Sequence, residues 1–516
     1  MESFIKSIVI VGGGTAGWLT ASILASRFST RIKHDELTIT LCESPNIPII
    51  GVGEGTWPTM ASTLRDIGVS ETDFFRECEA SYKQGSKFVE WDEEASGGFY
   101  YHPFEELRQG SNGSFAEYWL SQNSDESFAR HFSLQEAICE ENLAPKNITD
   151  PEYKAKSNYG YHLNAAKFSA FLQKHCISKL GVKHILADVE DVLINTAGNI
   201  EAVTLSGNKS LSGDLFIDCT GFKSLLLGKA LNVPFNPVSD HLFADTALAT
   251  QVTYSNKSNE IMSYTQSTAQ SSGWIWDIGL PTRRGVGYVF SSKYASVEQA
   301  KSALLAYIKN TGGDTSDLNV REINFTSGYR DKFWHKNCVA VGLSAGFLEP
   351  LEASALVLVE LSAMKIAEQL PRTNALMHLA ESRFNKTFRY HWKRAVDFLK
   401  LHYVLSHRNT PFWQDNRNPE SIPESLQELM QLWEHKVPDA NDFEPIGELF
   451  NFMSYQFVLY GNKFSTKTPF TADEHAVSFV KSYIEQNKKN RKQIVAMLPS
   501  NRELLEKIYK YGLSTI

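Results

Sequence analysis

Gly12, Gly14 and Gly17 are the first residues whose spacing suggests chemistry. They stand in "SIVIVGGGTAGWLTASILASRF", directly after an apolar run (Ile8–Val11) and before a helical pattern of Leu19, Ile23 and Leu24. Glycines at this spacing allow a tight turn and let the backbone approach a pyrophosphate, whose charge is favoured at a helix N-terminus. Thr15 and Ala16 lie inside the same turn and are read with it as cofactor-binding residues. Glu43 ends the alternating stretch "ELTITLCES" (Glu36–Ser44), where an acceptor for ribose hydroxyls belongs. It lies 26 residues past Gly17 (43 − 17), longer than the spacing of about 20 usual for NAD, and this favours FAD.

Two other patterns carry chemistry. "GLSAG" (Gly342–Gly346) satisfies G-x-S-x-G, the turn that exposes the nucleophile of serine hydrolases. A true nucleophile turn runs straight into a helix. Here "FLEPLE" follows, with Pro350, and helical periodicity begins only near Ser354, so a hydrolase using Ser344 stays a minor alternative. "SGWIWDIGLP" (Ser272–Pro281) places Trp274 and Trp276 two apart. Period-two spacing puts both rings on one face of a strand, and a buried strand would account for them without further purpose.

The elements that must hold these residues follow from periodicity. A helix is expected over Asn164–Gly181, and a hairpin over "VEDVLINTAGNIEAVTLSG" with Gly198 and Asn199 at its turn. "GDLFIDCTGF" (Gly213–Phe222) and "NCVAVG" (Asn337–Gly342) read as short buried strands. The stretch from about 240 to 330 alternates and is rich in Thr, Ser and Tyr, so a β-sheet is expected there. From Ser354 the pattern is helical. A surface loop is expected over Arg108–Phe115.

Bulk properties narrow the classes. The 516 residues are 42% hydrophobic and 21% charged, ordinary for a globular protein, and the net charge of −8 argues against nucleic-acid or anionic-membrane partners. Six cysteines (Cys42, Cys78, Cys139, Cys176, Cys219, Cys338) form no CxxC pair, so neither a zinc site nor a disulfide frame is expected, and no metal. Reduced thiols, no signal peptide and no apolar run of membrane-spanning length point to the cytoplasm.

Several stretches together resemble the flavin-dependent tryptophan halogenases, from the first strand to about Gly461. They are "GGGTAGW", "GVGEGTWPT" (Gly51–Thr59), "SYKQGSKF" (Ser81–Phe88), "YYHPF" (Tyr100–Phe104), "GWIWDI", "GLSAGFLEPLE" (Gly342–Glu352) and "HYVLSHRNTPFW" (His402–Trp413). "GDLFIDCTGF" and "VAVGLSAGFLEP" also resemble the second and third dinucleotide contacts of FAD oxygenases, although Leu343 stands where an Asp often binds ribitol. The resemblance implies a mixed α/β fold: a Rossmann-like FAD-binding core of the flavin monooxygenase type with an inserted β-sheet and a helical C-terminal region. As domains this reads 1–370, with the insert at about 240–330, and 371–516.

The same resemblance implies a reaction. Reduced FAD and O₂ form a flavin hydroperoxide, halide attacks it, and the resulting hypohalous acid reaches an electron-rich aromatic substrate such as an indole. Lys83 matches the family's essential lysine, which either hydrogen-bonds hypohalous acid as an ammonium or forms a haloamine as a neutral amine. Glu352 matches its active-site glutamate, able to stabilise the arenium cation and take its proton; Glu349 is assigned no role. Ser354 and Ala355 fall where backbone N–H groups bind halide (chloride or bromide), with Ser-Ala replacing the usual Thr-Gly. Val52, Gly53, Val189, Leu343 and Leu356 complete the implied cofactor contacts. His102, Phe104 and Phe450 are implied substrate contacts, and Trp274 and Trp276 a wall of stacked rings between flavin and substrate.

Departures matter as much. Leu449 and Phe450 stand where a bulky Phe-Trp pair clasps free tryptophan, Glu444 and Glu448 are imperfectly placed to hold its amino group, and Gly279 and Leu280 delay the proline after the tryptophans. These point away from free tryptophan towards an indole derivative, a phenol or a larger aromatic. With no second dinucleotide turn in the chain, a separate NAD(P)H-dependent flavin reductase is the expected partner, and a homodimer is admitted. The rival readings are an aromatic monooxygenase and a flavin-binding protein without turnover.

Overall fold

The apolar run after Lys6 forms a buried strand, Ser7–Val11, at the centre of a six-stranded sheet. Its neighbours are Leu215–Asp218 and Thr38–Glu43, both parallel to it; Cys338–Ala340 and Lys183–Leu186 extend the parallel set, and Trp334–His335 closes one edge antiparallel. Strands covered on both faces read as continuous apolar runs, as "IVIV" and "LFID" do. The computed structural model describes residues 4–47, 53–92, 98–105, 115–122, 126–467 and 474–515. The loop expected over Arg108–Phe115 falls, but for Phe115, outside them.

The chain divides into two compact units, each gathered from three stretches. The first comprises Met1–Glu79, Leu163–Val238 and Thr326–Lys393. Besides the six-stranded sheet it holds the helix Thr15–Arg27, on which the helices Ala165–Lys179 and Ser354–Gln369 both pack. Asn164 caps Ala165–Lys179 by accepting from Lys167 N–H. The hairpin strands Val189–Ile194 and Ile200–Leu205 turn at Gly198, whose φ of +80° suits glycine, and Lys209–Ser212 completes a small antiparallel sheet. These elements match the periodicity closely.

The second unit comprises Ala80–His162, Ser239–Phe325 and Arg394–Ile516. Its seven-stranded sheet runs Arg321–Asn324, Thr246–Thr253, Arg283–Phe290, Gly273–Gly279, Thr265–Gln270, Gly85–Val89 and Phe99–Pro103 in spatial order. The sheet therefore extends beyond the 240–330 window: two strands come from residues 85–103, and Gly85–Val89 joins parallel to Thr265–Gln270. The helix Val297–Asn310, opened by a Ser296–Gln299 capping box, lays Ala300, Leu304 and Ile308 on Leu248, Val252, Ile275 and Val286 of this sheet. The C-terminal part is helical as expected, with helices including Phe452–Gly461, Glu474–Met497 and Asn501–Tyr511.

Candidate active site

In the first unit the glycine turn has the shape of a phosphate cradle. Gly12 has φ +113°, and a Cβ there would lie 2.2 Å from the Cys219 carbonyl oxygen; a Cβ on Gly17 would lie 1.9 Å from the Gly12 oxygen. Gly14 has open space and precedes the helix Thr15–Arg27 with no side chain capping it, so the first N–H groups of that helix face a site with room for an anion. Gly13, which the spacing rule does not single out, is constrained as tightly: a Cβ there would lie 1.4 Å from Glu43 Oε2. Glu43 is held by Gln173, which donates to Oε1 at 2.7 Å, and by His184 Nε2, 2.8 Å from the same oxygen. Oε2 is thus aimed at the glycine turn.

The other two dinucleotide-like stretches converge on this turn through one buried carboxylate. Asp218 accepts from Thr220 N–H and Oγ1, Leu226 N–H, Leu227 N–H, Ser224 Oγ and Ser344 Oγ. It thereby shapes the turn after its own strand and ties it to Gly342–Ser344, where Gly342 (φ +70°) packs against Ala16 and Leu343 follows. An acidic residue ending a buried apolar strand, "FID", was the available signal for this hub.

The same geometry removes the hydrolase alternative. Ser344 is buried, donates to Asp218 at 3.1 Å and to the Gly221 carbonyl at 3.2 Å, and its 3₁₀ turn leads into a strand, Gly346–Phe347, not a helix. Of the remaining expected cofactor residues, Val52 lies outside the described residues. Gly53 has φ +147°. Val189 opens its strand two residues after Ala187, whose N–H donates to the Glu43 carbonyl. Leu356 is buried in the first turn of Ser354–Gln369.

Glu352 sits where that helix begins. Glu352 (φ 66°) and Ala353 (φ 54°) are consecutive left-handed residues, a conformation that costs a non-glycine residue about 1–2 kcal/mol each. The reversal presents Glu352 as a buried carboxylate, 4% exposed, immediately before the first N–H groups of Ser354–Gln369. Ser354 is buried and Ala355 exposed at that N-terminus, the end of a helix that favours an anion. Trp57 donates its indole N–H to the Glu352 carbonyl, and further along the helix the Glu360 carboxyl is clasped by the Thr59 and Thr63 hydroxyls. Burial pushes that carboxyl up to about 7.

In the second unit Lys83 is fully buried at the end of the strand Ser81–Lys83, with Nζ 5.1 Å from the Phe104 ring centroid. His102 lies in the strand Phe99–Pro103, its ring 5.5 Å from Phe398 and 6.4 Å from Phe450. Phe398 and Phe450 stack at 3.8 Å; Leu449 and Phe450 precede the helix Phe452–Gly461, which Asn451 caps. The structure thus brings Lys83 to Phe104 and His102 to Phe450, with Phe398 the partner that sequence reading missed.

Trp274 and Trp276 share one face of Gly273–Gly279 as period two requires, with ring centroids 6.4 Å apart. Their planes meet at 60°, so the pair is tilted and not stacked, a correction whose cause lies on the neighbouring strand. The Trp276 ring lies over Gly287 on the adjacent strand, where a Cβ would come within 2.0 Å of it. Asp277, which follows Trp276 and lies on the opposite face of the strand, is buried and held by both Arg284 and Tyr307. Strand pairing ends at Gly279, and Leu280 N–H then donates to Arg283 carbonyl, which turns the chain at Pro281.

All six cysteines are free and buried, no cluster of metal-ligating side chains occurs among the described residues, and no helix among them is long and apolar enough to cross a membrane.

Comparison with known proteins agrees with this geometry. The tryptophan halogenase family profile matches residues 7–476. The crystal structure of a tryptophan halogenase from Shewanella frigidimarina superposes with a TM-score of 0.95 and 43% identity, covering 100% of this chain and 99% of the other. Tar14, a tryptophan C-6 flavin-dependent halogenase from taromycin biosynthesis, gives 0.90 at 31% identity over 98% of this chain and 99% of its own. The tryptophan 6-halogenase ThaL of Streptomyces albogriseolus is 33% identical over 456 residues, 85% of this chain and 83% of that protein. A mixed α/β fold with a Rossmann-like sheet, a glycine turn leading into a helix and these likenesses together place the chain in the tryptophan halogenase family, as a flavin-dependent enzyme that halogenates aromatic substrates.

Proposed function

We propose that this enzyme chlorinates or brominates an electron-rich aromatic compound such as an indole derivative, using reduced FAD delivered by a separate NAD(P)H-dependent reductase. The cradle of Gly12, Gly13, Gly14 and Gly17 with Glu43 fits the dinucleotide, since three of the four glycines pack too tightly for a side chain and keep the turn closed, while Gly14 leaves open space in front of the helix. Bound reduced flavin, with O₂ and halide, supplies hypohalous acid. Ser354 and Ala355 offer halide their backbone N–H groups at the N-terminus of their helix, which is favourable to an anion whatever the side chain.

Lys83 receives hypohalous acid and presents its halogen to the substrate. The observation that carries this reading is Lys83 itself: a lysine with 0% exposure, its nitrogen over the Phe104 ring, is an expensive placement that a solvated surface lysine never needs. Glu352 stabilises the arenium cation and takes its proton; its burial on a strained turn supports a positioned role. His102, Phe104 and Phe450 contact the substrate, while Trp274 and Trp276 separate it from the flavin. Free tryptophan is disfavoured as substrate because Leu449 and Phe450 replace the clasping pair, and one face of Phe450 is already taken by Phe398.

The test is purified protein with FAD, a flavin reductase, NADH, bromide and a panel of indoles and phenols, read by mass spectrometry. Bromide-dependent mass gain supports the proposal; product of +16 mass units without halide identifies a monooxygenase instead. Lys83→Ala should abolish halogenated product while NADH consumption continues.

A further inference from the structure

Lys83 has a neighbour that the family resemblance does not assign. The strand Ser81–Lys83 pairs antiparallel with Gly160–Leu163 in the register Ser81 to His162, Tyr82 to Tyr161 and Lys83 to Gly160. Residues directly opposite one another share a face, so Ser81, Lys83, Gly160 and His162 lie on the same face of the ribbon. The position facing Lys83 has no side chain. The nearest side chain for Lys83 on the partner strand is therefore the diagonal one, His162, within reach of a long residue.

His162 is fully buried. Its Nε2 shares a hydrogen bond with Thr265 Oγ1 at 2.8 Å, and its Nδ1 has no partner among the described residues. Burial first, and the Lys83 charge second, hold the imidazole well below its ordinary pKa of 6.5, so the ring is neutral. In the tautomer whose Nε2–H donates to Thr265 Oγ1, Nδ1 carries a lone pair. A buried ammonium loses the hydration that stabilises its charge, and a neutral imidazole lone pair is the dipole that replaces it. Other titratable groups on the surrounding elements are Tyr82 and Tyr161 on the ribbon, Glu105 after Phe104, the mutually paired Asp277 and Arg284, and Arg502 on the C-terminal helix. Among the charges around it, that of Lys83 adds to burial in holding His162 neutral.

We propose that His162 is a positioning residue for Lys83: its neutral imidazole orients the lysine nitrogen and stabilises its ammonium form, and so sets the pH range over which Lys83 serves halogenation. The inference rests on the catalytic reading of Lys83 given above. Without His162 the lysine should release its proton at lower pH. If Lys83 works as an ammonium, the basic limb of the activity profile moves to lower pH; if it works as a neutral amine, the acidic limb does.

The test follows Lys83 directly, by NMR titration of full-length protein carrying ¹⁵Nζ- and ¹³Cε-labelled lysine, its signal identified by its loss in Lys83→Ala. His162→Leu, and His162→Ala should Leu fail to fold, are expected to lower the Lys83 midpoint by about one pH unit. His162→Asn, whose amide oxygen can take the place of Nδ1, should restore most of the difference. An unchanged midpoint in Leu or Ala, or an Asn variant no different from them, overturns the inference. Halogenation by Lys83→Ala, measured with bromide and the indole panel, would instead overturn the catalytic reading of Lys83 and leave the titration result standing on its own.

Discussion

Trp57 donates its indole N–H to the main-chain carbonyl of Glu352 at 2.8 Å. That carbonyl belongs to the first of two left-handed residues, so the bond holds a backbone reversal that the residues themselves do not favour. Trp57→Phe keeps the ring and deletes the donor. It should cost about 1–2 kcal/mol in denaturant unfolding. Halogenation should fall further than FAD affinity, measured by flavin fluorescence titration, because the Glu352 carboxylate and the helix N-terminus after it lose their fixed placement.

Gly13→Ala tests the cradle at the position that spacing rules overlook. Its methyl carbon would coincide with Glu43 Oε2, and Glu43 cannot retreat without breaking its contacts to Gln173 and His184. FAD binding should weaken by about 10- to 100-fold, equivalent to about 1.4–2.8 kcal/mol. Gly14→Ala, where a Cβ meets nothing within 4 Å, is the matched control and should bind FAD far better than Gly13→Ala.

Glu360 makes the stability of the first unit depend on pH. Its folded pKa of about 7 lies above the ordinary 4.5, because burial favours the neutral acid. The fold therefore holds a proton that the unfolded chain has released between those values. The stabilisation is complete below about 4.5 and is lost as pH rises towards 7, an effect on the order of 3 kcal/mol. Glu360→Gln should flatten the melting temperature between pH 5 and 8, and at pH 8 should melt no lower than the parent. A Glu360→Gln curve as steep as the parent's would refute this.

Gly287→Ala perturbs the tryptophan wall without touching either tryptophan. The added methyl would press on the Trp276 indole, which has to rotate or lift from the strand. Reduced coupling is the expected outcome: less halogenated product per NADH consumed, more hydrogen peroxide, and a fold retained by circular dichroism. Wild-type coupling would show that the ring's placement is unimportant to the partition.

How much of this was readable beforehand depended on how local the cause is. The first strand and its glycine turn, the Gly198 hairpin and the helix from Ser354 are set by neighbours a few residues away, and each appears where its pattern places it. The parallel pairing of Gly85–Val89 with Thr265–Gln270 has no local signature, since nothing in either stretch names its partner. The 60° angle between Trp274 and Trp276 likewise depends on Gly287, a residue on another strand. Lys83 and Glu352 were singled out only through resemblance to a family. Their own surroundings in the sequence, "SYKQG" and "EPLEA", give no sign that one would be buried against Phe104 and the other mounted on a strained turn.

The strand pairing of the second unit also governs when it can form. Gly85–Val89 must find Thr265–Gln270, 180 residues later (265 − 85). At about 5–20 residues per second of synthesis, that partner emerges roughly 10–40 s after the strand that needs it. Throughout that interval the strand leaves the ribosome with an open parallel edge, a ready template for pairing with another chain. Yield of soluble protein should therefore depend on nascent-chain chaperones and on elongation speed across residues 85–265, more than on the stability of the finished fold.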